Sequence, residues 1–235
     1  MALTALTTSK LFPMIRPGHR VAAMGYPDMI APPAMFAGLD ITYREDSEAI
    51  CKRHGLPRRE IPDARSVFKA MGAELDVFDI VQERGDEILC DLNEVGFGIS
   101  YTRGGTSQCY DFVLDVGTLE HCFNIGQAAM NMAGLLVPDG VIFHGNPHNS
   151  GNHGFYGIQP TWYADFYGQD GFKLLYCVLQ RRGTDEELEP PLTGRFSLGE
   201  PEVNIFTAAR RTAILPINWP TQTKYKKLIG VKHGT

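Results

Sequence analysis

The residues from Tyr110 to Asn149, YDFVLDVGTLEHCFNIGQAAMNMAGLLVPDGVIFHGNPHN, constrain the fold more than any other part of the chain. Tyr110–Val116 is a short apolar run suited to a strand buried on both faces, with Asp111 near its start and Asp115 near its end. Gly117-Thr118-Leu119-Glu120-His121 follows at once and places an acid and an imidazole at that strand's carboxyl end. Open α/β sheets bind ligands at that edge. Phe123, Ile125, Ala129, Met132, Leu135 and Leu136 have the spacing of a helix packed on a sheet. Pro138-Asp139-Gly140 is turn chemistry, and Val141–His144 opens a second strand with a histidine-rich exit. The stretch predicts a strand–helix–strand unit with its chemistry at one end.

At 235 residues the chain suits one large α/β domain, or at most two small ones, with a core that needs no staples. Its 43% hydrophobic and 21% charged residues are those of an ordinary globular protein. A net charge of -5 argues against nucleic acid as a partner. The one basic cluster (Lys224, Lys226, Lys227, Lys232) reads as a solvated tail. Five scattered cysteines without a C-x-x-C pair point to a reducing compartment and away from a disulfide framework or structural zinc. With neither a signal peptide nor a membrane-length apolar run, the expected location is cytoplasmic.

Before the central unit, residues 1–15 read as a helical turn or two packed over the sheet, and Val21–Met24 as a strand ending in Gly25-Tyr26-Pro27-Asp28. Residues 27–62 follow no clean period apart from a helix around Ser47–His54, and predict an insertion that covers a site. Asp63 caps a helix over Ala64–Met71, Glu74–Ile80 is a strand finishing on Asp79, and a third short strand ends on Asp91. Residues 96–109 read as loop. Beyond the central unit come a helix over Gln159–Tyr167 and strands over Phe172–Arg181 and Glu202–Arg210, the last two as an antiparallel hairpin.

Four strands thus carry Gly25, Asp79, Asp91 and Asp115-to-His121 at successive carboxyl ends. Over roughly residues 16–180 this resembles class I S-adenosylmethionine-dependent methyltransferases, most closely in YDFVLDVGTLEHCFN and LLVPDGVIFHGNP. NHGFYGIQPTWYADFYGQDGF is similar to a run in a subgroup with sugar or glycan-like acceptors. The resemblance implies a single Rossmann-like three-layer α/β sandwich over residues 1–235, its mostly parallel seven-stranded sheet closed by an antiparallel C-terminal hairpin strand. It implies S-adenosylmethionine as cofactor, with Asp79 and Ile80 at the ribose, Asp91 and Leu92 at the adenine, and Asp115, Val116 and Gly117 at the methionine moiety. A carboxylate such as Asp79 can accept both hydrogen bonds of a vicinal diol. The family's glycine-rich first turn is reduced here to Gly25, followed by Pro27, which lacks a backbone donor.

For the chemistry, Glu120 with His121, His144 or His153 is the candidate base for an acceptor hydroxyl, and His148 and Tyr156 are candidate acceptor contacts. The plainer readings are that Glu120 favours a helix N-terminus and that the histidines bond backbone in an ordered loop. His144, His148 and His153 have loop spacing rather than a zinc helix's i, i+4 pairing, so no metal is expected. The expected function is O-methylation of a small or sugar-like acceptor, with a homo-oligomer left open and neither nucleic acid nor membrane as partner. Its alternative is a methyltransferase-like chain that has lost its cofactor and serves binding or assembly. A nucleotide-sugar or nicotinamide enzyme shares the Asp79 logic but lacks the glycine fingerprint.

Overall fold

The central strands are buried on both faces. In β1 (Arg20–Met24), Val21 and Ala23 pack to one side and Ala22 and Met24 to the other; in β4 (Tyr110–Val116), Phe112 and Leu114 oppose Val113. Such strands need cover on both faces. The computed structural model, which describes residues 2–95, 109–184, 186–192, 194–199 and 202–229, supplies it. One face packs against α1 (Ala5–Leu11) and α3 (Ala64–Ala70) through Leu11, Val67 and Phe68. The other packs against α4 (Ile125–Gly134) and α5 (Pro160–Tyr167) through Ala128, Ala129, Met132, Tyr163, Phe166 and Tyr167.

The remaining strands are β2 (Glu74–Asp79), β3 (Ile88–Leu89), β5 (Leu136–Pro147), β6 (Phe172–Arg181), β7 (Glu187–Leu188) and β8 (Val203–Arg211). They form one sheet of order β3-β2-β1-β4-β5-β8-β6-β7. The first five in that order pair in parallel, and β8 runs antiparallel to both β5 and β6. This is a Rossmann-like α/β fold, mostly parallel with antiparallel C-terminal strands. The sheet has eight strands rather than seven because the two-residue β7 pairs on the edge of β6. The chain winds from β1 out to β3 and then crosses to β4, so the topological switch lies between β1 and β4, where ligands sit in open sheets.

Three local expectations are corrected. Phe123 is 72% exposed and precedes α4, which starts at Ile125 behind an Asn124 cap that accepts from Gln127 N. Residues 138–140 do turn, with Asp139 at φ 65°, but the turn lies within the span of β5: Tyr110 pairs with Leu136 and Phe112 already with Val141. The basic C-terminal segment forms α6 (Thr223–Ile229), whose first amide donates to both Asp165 carboxylate oxygens at 3.1 Å. The expected loop at 96–109 lies outside the described residues apart from Cys109, as does Lys232.

The 27–62 segment holds a 3-10 turn (Pro33–Phe36), α2 (Ser47–Arg53) and a small apolar cluster of Ile50, Cys51 and Ile61. Buried Asp28 anchors it: Arg53 Nη1 (3.3 Å), His54 Nε2 (3.0 Å) and Arg84 Nη2 (3.0 Å) converge on its carboxylate. Paired and hydrogen-bonded, a buried carboxylate ties segments together because breaking the set would strand a charge.

Candidate active site

The carboxyl end of β4 is built around Asp115, which is fully buried. Its Oδ1 accepts from the amides of Thr118 (3.2 Å) and Leu119 (3.0 Å), fixing the turn that carries Glu120 and His121. Its Oδ2 meets His144 Nδ1 at 2.6 Å and Asn146 Nδ2 at 3.2 Å, both from neighbouring β5. His144 Nε2 lies 2.6 Å from the hydroxyl of Tyr167 on α5. Burial, then Asp115, raises Tyr167 well above the ordinary phenol range, so it stays a neutral donor. The donor pattern is satisfied by Tyr167 O–H to Nε2 and Nδ1–H to Asp115, an assignment made from the network. Tyr163 donates to Asn146 Oδ1, which turns the Asn146 amide nitrogen toward Asp115 and, at 2.9 Å, toward Glu120 Oε2.

Glu120 is itself fully buried, and its other oxygen, Oε1, has no hydrogen-bond partner among the described residues. His153 Nε2 stands 3.4 Å and His121 Nε2 3.9 Å from that oxygen. Burial, and next the Asp115 charge, raise the Glu120 carboxyl to about 7. Burial and then His153 lower His121. Both imidazoles are about half exposed, 50% for His121 and 49% for His153, and their rings lie 5.4 Å apart. The loop bearing His153 is stitched to the Glu120 turn by Phe155 N to Glu120 O (2.9 Å), Tyr156 Oη to Phe123 O (2.8 Å) and an edge-on Phe123–Phe155 pair.

Gly154 allows that approach, because a Cβ there would come within 2.8 Å of Glu120 O and 2.9 Å of Glu120 Cγ. Gly154→Ala is expected to destabilise the protein by about 1–3 kcal/mol through overpacking. A urea midpoint unchanged from the parent would show that the loop sits elsewhere.

Glu120, His121 and His153 face a cleft of about 750 Å³ that Val116, Gly117 and Asn146 also line. Thr4 and Thr7 from the N-terminal segment, Gln180 of β6, Thr184 just after it and Asn204 of β8 also line it, beside the apolar Ala2, Ala5, Leu6 and Phe206. Ile30 and His54 bring the 27–62 segment to its rim.

The edge between β2, β1 and β4 offers different features. Gly25 (φ 89°) and Gly117 (φ 79°) bring bare backbone to the ends of adjacent strands in a conformation L side chains avoid, and Thr118 Oγ1 donates to Met24 O between them. Asp79 lies beside Gly25, whose amide donates to Phe78 O at 2.6 Å, and one Asp79 oxygen accepts from Val81 N at 3.3 Å. Backbone that a ligand can approach closely, next to a strand-end carboxylate, suits a ribose-bearing cofactor such as S-adenosylmethionine. The glycine-poor first turn is filled instead by Tyr26, with the Arg84 guanidinium 3.9 Å above its ring.

Several sequence-based candidates take other places. His144 is no surface base: fully buried, with both ring nitrogens engaged, it is a strut under the site. His148 is buried, gives Nδ1 to Ile158 O at 2.9 Å and stacks on Phe196, so it holds a loop rather than facing the cleft. Tyr156 spends its hydroxyl on Phe123 O and does not line the cleft. The Leu92 side chain belongs to the core, Asp91 Oδ1 accepts from Asn93 N and Nδ2, and Ile80 is 67% exposed outside the cleft. Asn146, Tyr163 and Tyr167 were missed; a polar Asn within an apolar strand was the available signal.

No family model matches the chain. No curated protein matches it either. Among solved structures, the Burkholderia thailandensis 1,6-didemethyltoxoflavin-N1-methyltransferase, with 1,6-didemethyltoxoflavin and S-adenosylhomocysteine bound, is similar at 17% identity and TM-score 0.47, over 89% of this chain and 76% of that one. The trans-methyltransferase CalH in complex with S-adenosylhomocysteine is similar at 14% identity and TM-score 0.42, over 83% of this chain and 52% of that one. These are likenesses of fold at low identity. Among the described residues no helix is long and apolar enough to cross a membrane.

Proposed function

We propose that the protein is an S-adenosylmethionine-dependent methyltransferase acting on a hydroxyl of a small, sugar-like acceptor. The observation that carries the reading is the placement of Glu120, His121 and His153 beside Val116-Gly117, at the carboxyl end of β4 and inside a cleft that extends over β5, β8 and β6. When bound, the cofactor supplies a methyl group on a sulfonium, already a strong electrophile. Asp79 would hold its ribose, and Gly25 and Gly117 would let backbone approach it. The chain's remaining task is to orient the acceptor and receive its proton. His153, with Glu120 behind it, is the group placed to take that proton, and His121 is the second candidate.

A cleft of about 750 Å³ suits a small ligand, and the threonine, glutamine and asparagine side chains among its lining can bond the hydroxyls of one. The 27–62 segment, at the rim, is read as part of the cover over one domain. Incubation with methyl-labelled S-adenosylmethionine and a panel of monosaccharides and sugar nucleotides, read by mass spectrometry, tests this reading. Transfer to an oxygen of a sugar supports it, and transfer only to nitrogen or to non-sugar acceptors sinks the acceptor assignment.

A second reading, a cofactor-free binding or assembly chain, is favoured by the Tyr26–Arg84 stack at the first turn. Loss of cofactor affinity is what separates the two.

A further inference from the structure

We propose that Glu120, His121 and His153 form a binding site for a divalent first-row transition cation, open toward the cleft. The site deepens the reading above at the same cluster, but cation binding can be measured without cofactor or acceptor. One ligand atom from each residue lies within 4.8 Å of the other two. Around an ion with bonds of about 2.1 Å, tetrahedral ligands are separated by about 3.4 Å. The His153 Nε2 to Glu120 Oε1 separation is 3.4 Å, and the 3.9 Å to His121 closes with a small swing of a half-exposed imidazole.

The independent observation is Glu120 Oε1 itself. It is buried, aimed at the two imidazoles and without a hydrogen-bond partner among the described residues. A buried carboxylate oxygen is ordinarily paired or bound to a metal. Here its twin Oε2 is already held by Asn146, which is tied in turn to Asp115 and Tyr163. Such outer contacts orient a ligating carboxylate. The two chain segments are also locked together, through Phe155 N to Glu120 O and the close approach at Gly154.

Two imidazoles and one carboxylate suit Zn²⁺, Co²⁺, Fe²⁺ or Mn²⁺ rather than Ca²⁺ or Mg²⁺, which prefer all-oxygen shells. Three protein ligands leave coordination positions facing the cleft, where an acceptor with two adjacent hydroxyls can supply oxygen ligands. An ion held there would polarise a coordinated acceptor hydroxyl and ease its deprotonation, whereas in the cation-free protein the imidazoles stay available as bases.

The test uses the full chain after dialysis against chelator, titrated with Co²⁺ alone and followed by visible absorption and calorimetry. One equivalent is expected to bind with d–d bands of a nitrogen–oxygen site. Affinity should fall by roughly tenfold or more in His121→Ala, His153→Ala and Glu120→Gln, while His19→Ala leaves it unchanged. His121 and His153 are exposed enough that their alanine variants fold. Binding that is absent, or equal in parent and all three variants, overturns the site. The methyltransferase reading is judged separately by S-adenosylhomocysteine titration of the same metal-free protein.

Discussion

Asp115→Ala should lose about 3–5 kcal/mol of stability. The carboxylate has no exposure and accepts from four donors: the amides of Thr118 and Leu119, His144 Nδ1 and Asn146 Nδ2. Alanine strands all four in the interior. Asparagine does little better, since its amide must turn a donor toward either the two backbone amides or the two side-chain donors. Denaturation in urea should show a lower midpoint with an unchanged slope. A loss below about 1 kcal/mol would mean that water reaches the network and that the Glu120 turn is held by something else.

Glu120→Gln separates stability from chemistry. The glutamine carbonyl can keep the Asn146 contact, and no charge is then left in the interior, so stability should be equal or higher. The rate of methyl transfer should nonetheless fall by about 10²–10⁴-fold, the usual contribution of a positioned acid–base group. Initial rates beside thermal denaturation read both quantities on one preparation. A variant that retains its rate would remove Glu120 from the site, whatever its stability.

Much of the fold was legible because it follows from short-range pattern. Tyr110–Val116 and Phe172–Arg181 are strands over the residues the apolar runs marked, and Asp63 caps α3 through Ser66 N at 3.0 Å. Residues 138–140 read as turn chemistry, but pairing of both flanks with β4 takes them into one strand, which no local signal predicts. Phe123 sits at helical spacing yet stays out of α4, because the Asn124 cap starts the helix after it and Phe155 gives its ring a partner at the surface.

The site was harder to read. His121, His144, His148 and His153 look alike along the chain, and only tertiary packing sorts them. Tyr167 and Asp115 bury His144 between them, Ile158 and Phe196 hold His148, and Gly154 folds His153 back onto Glu120. The grouping that matters joins a turn after β4 to a loop after β5, and spacing within either segment says nothing about the other.

The proposed activity rests on cofactor binding at the switch between β1 and β4, against Asp79, despite the glycine-poor first turn. Titration calorimetry with S-adenosylhomocysteine on the parent and on Asp79→Ala tests it most directly. Asp79 is partly exposed at a strand end, so its replacement should leave the fold intact. One-site binding by the parent is expected, with an affinity about tenfold or more lower in the variant, as when two hydrogen bonds from a diol to a charged acceptor are lost. No binding by the parent at millimolar ligand, or equal affinity in the two proteins, would contradict it.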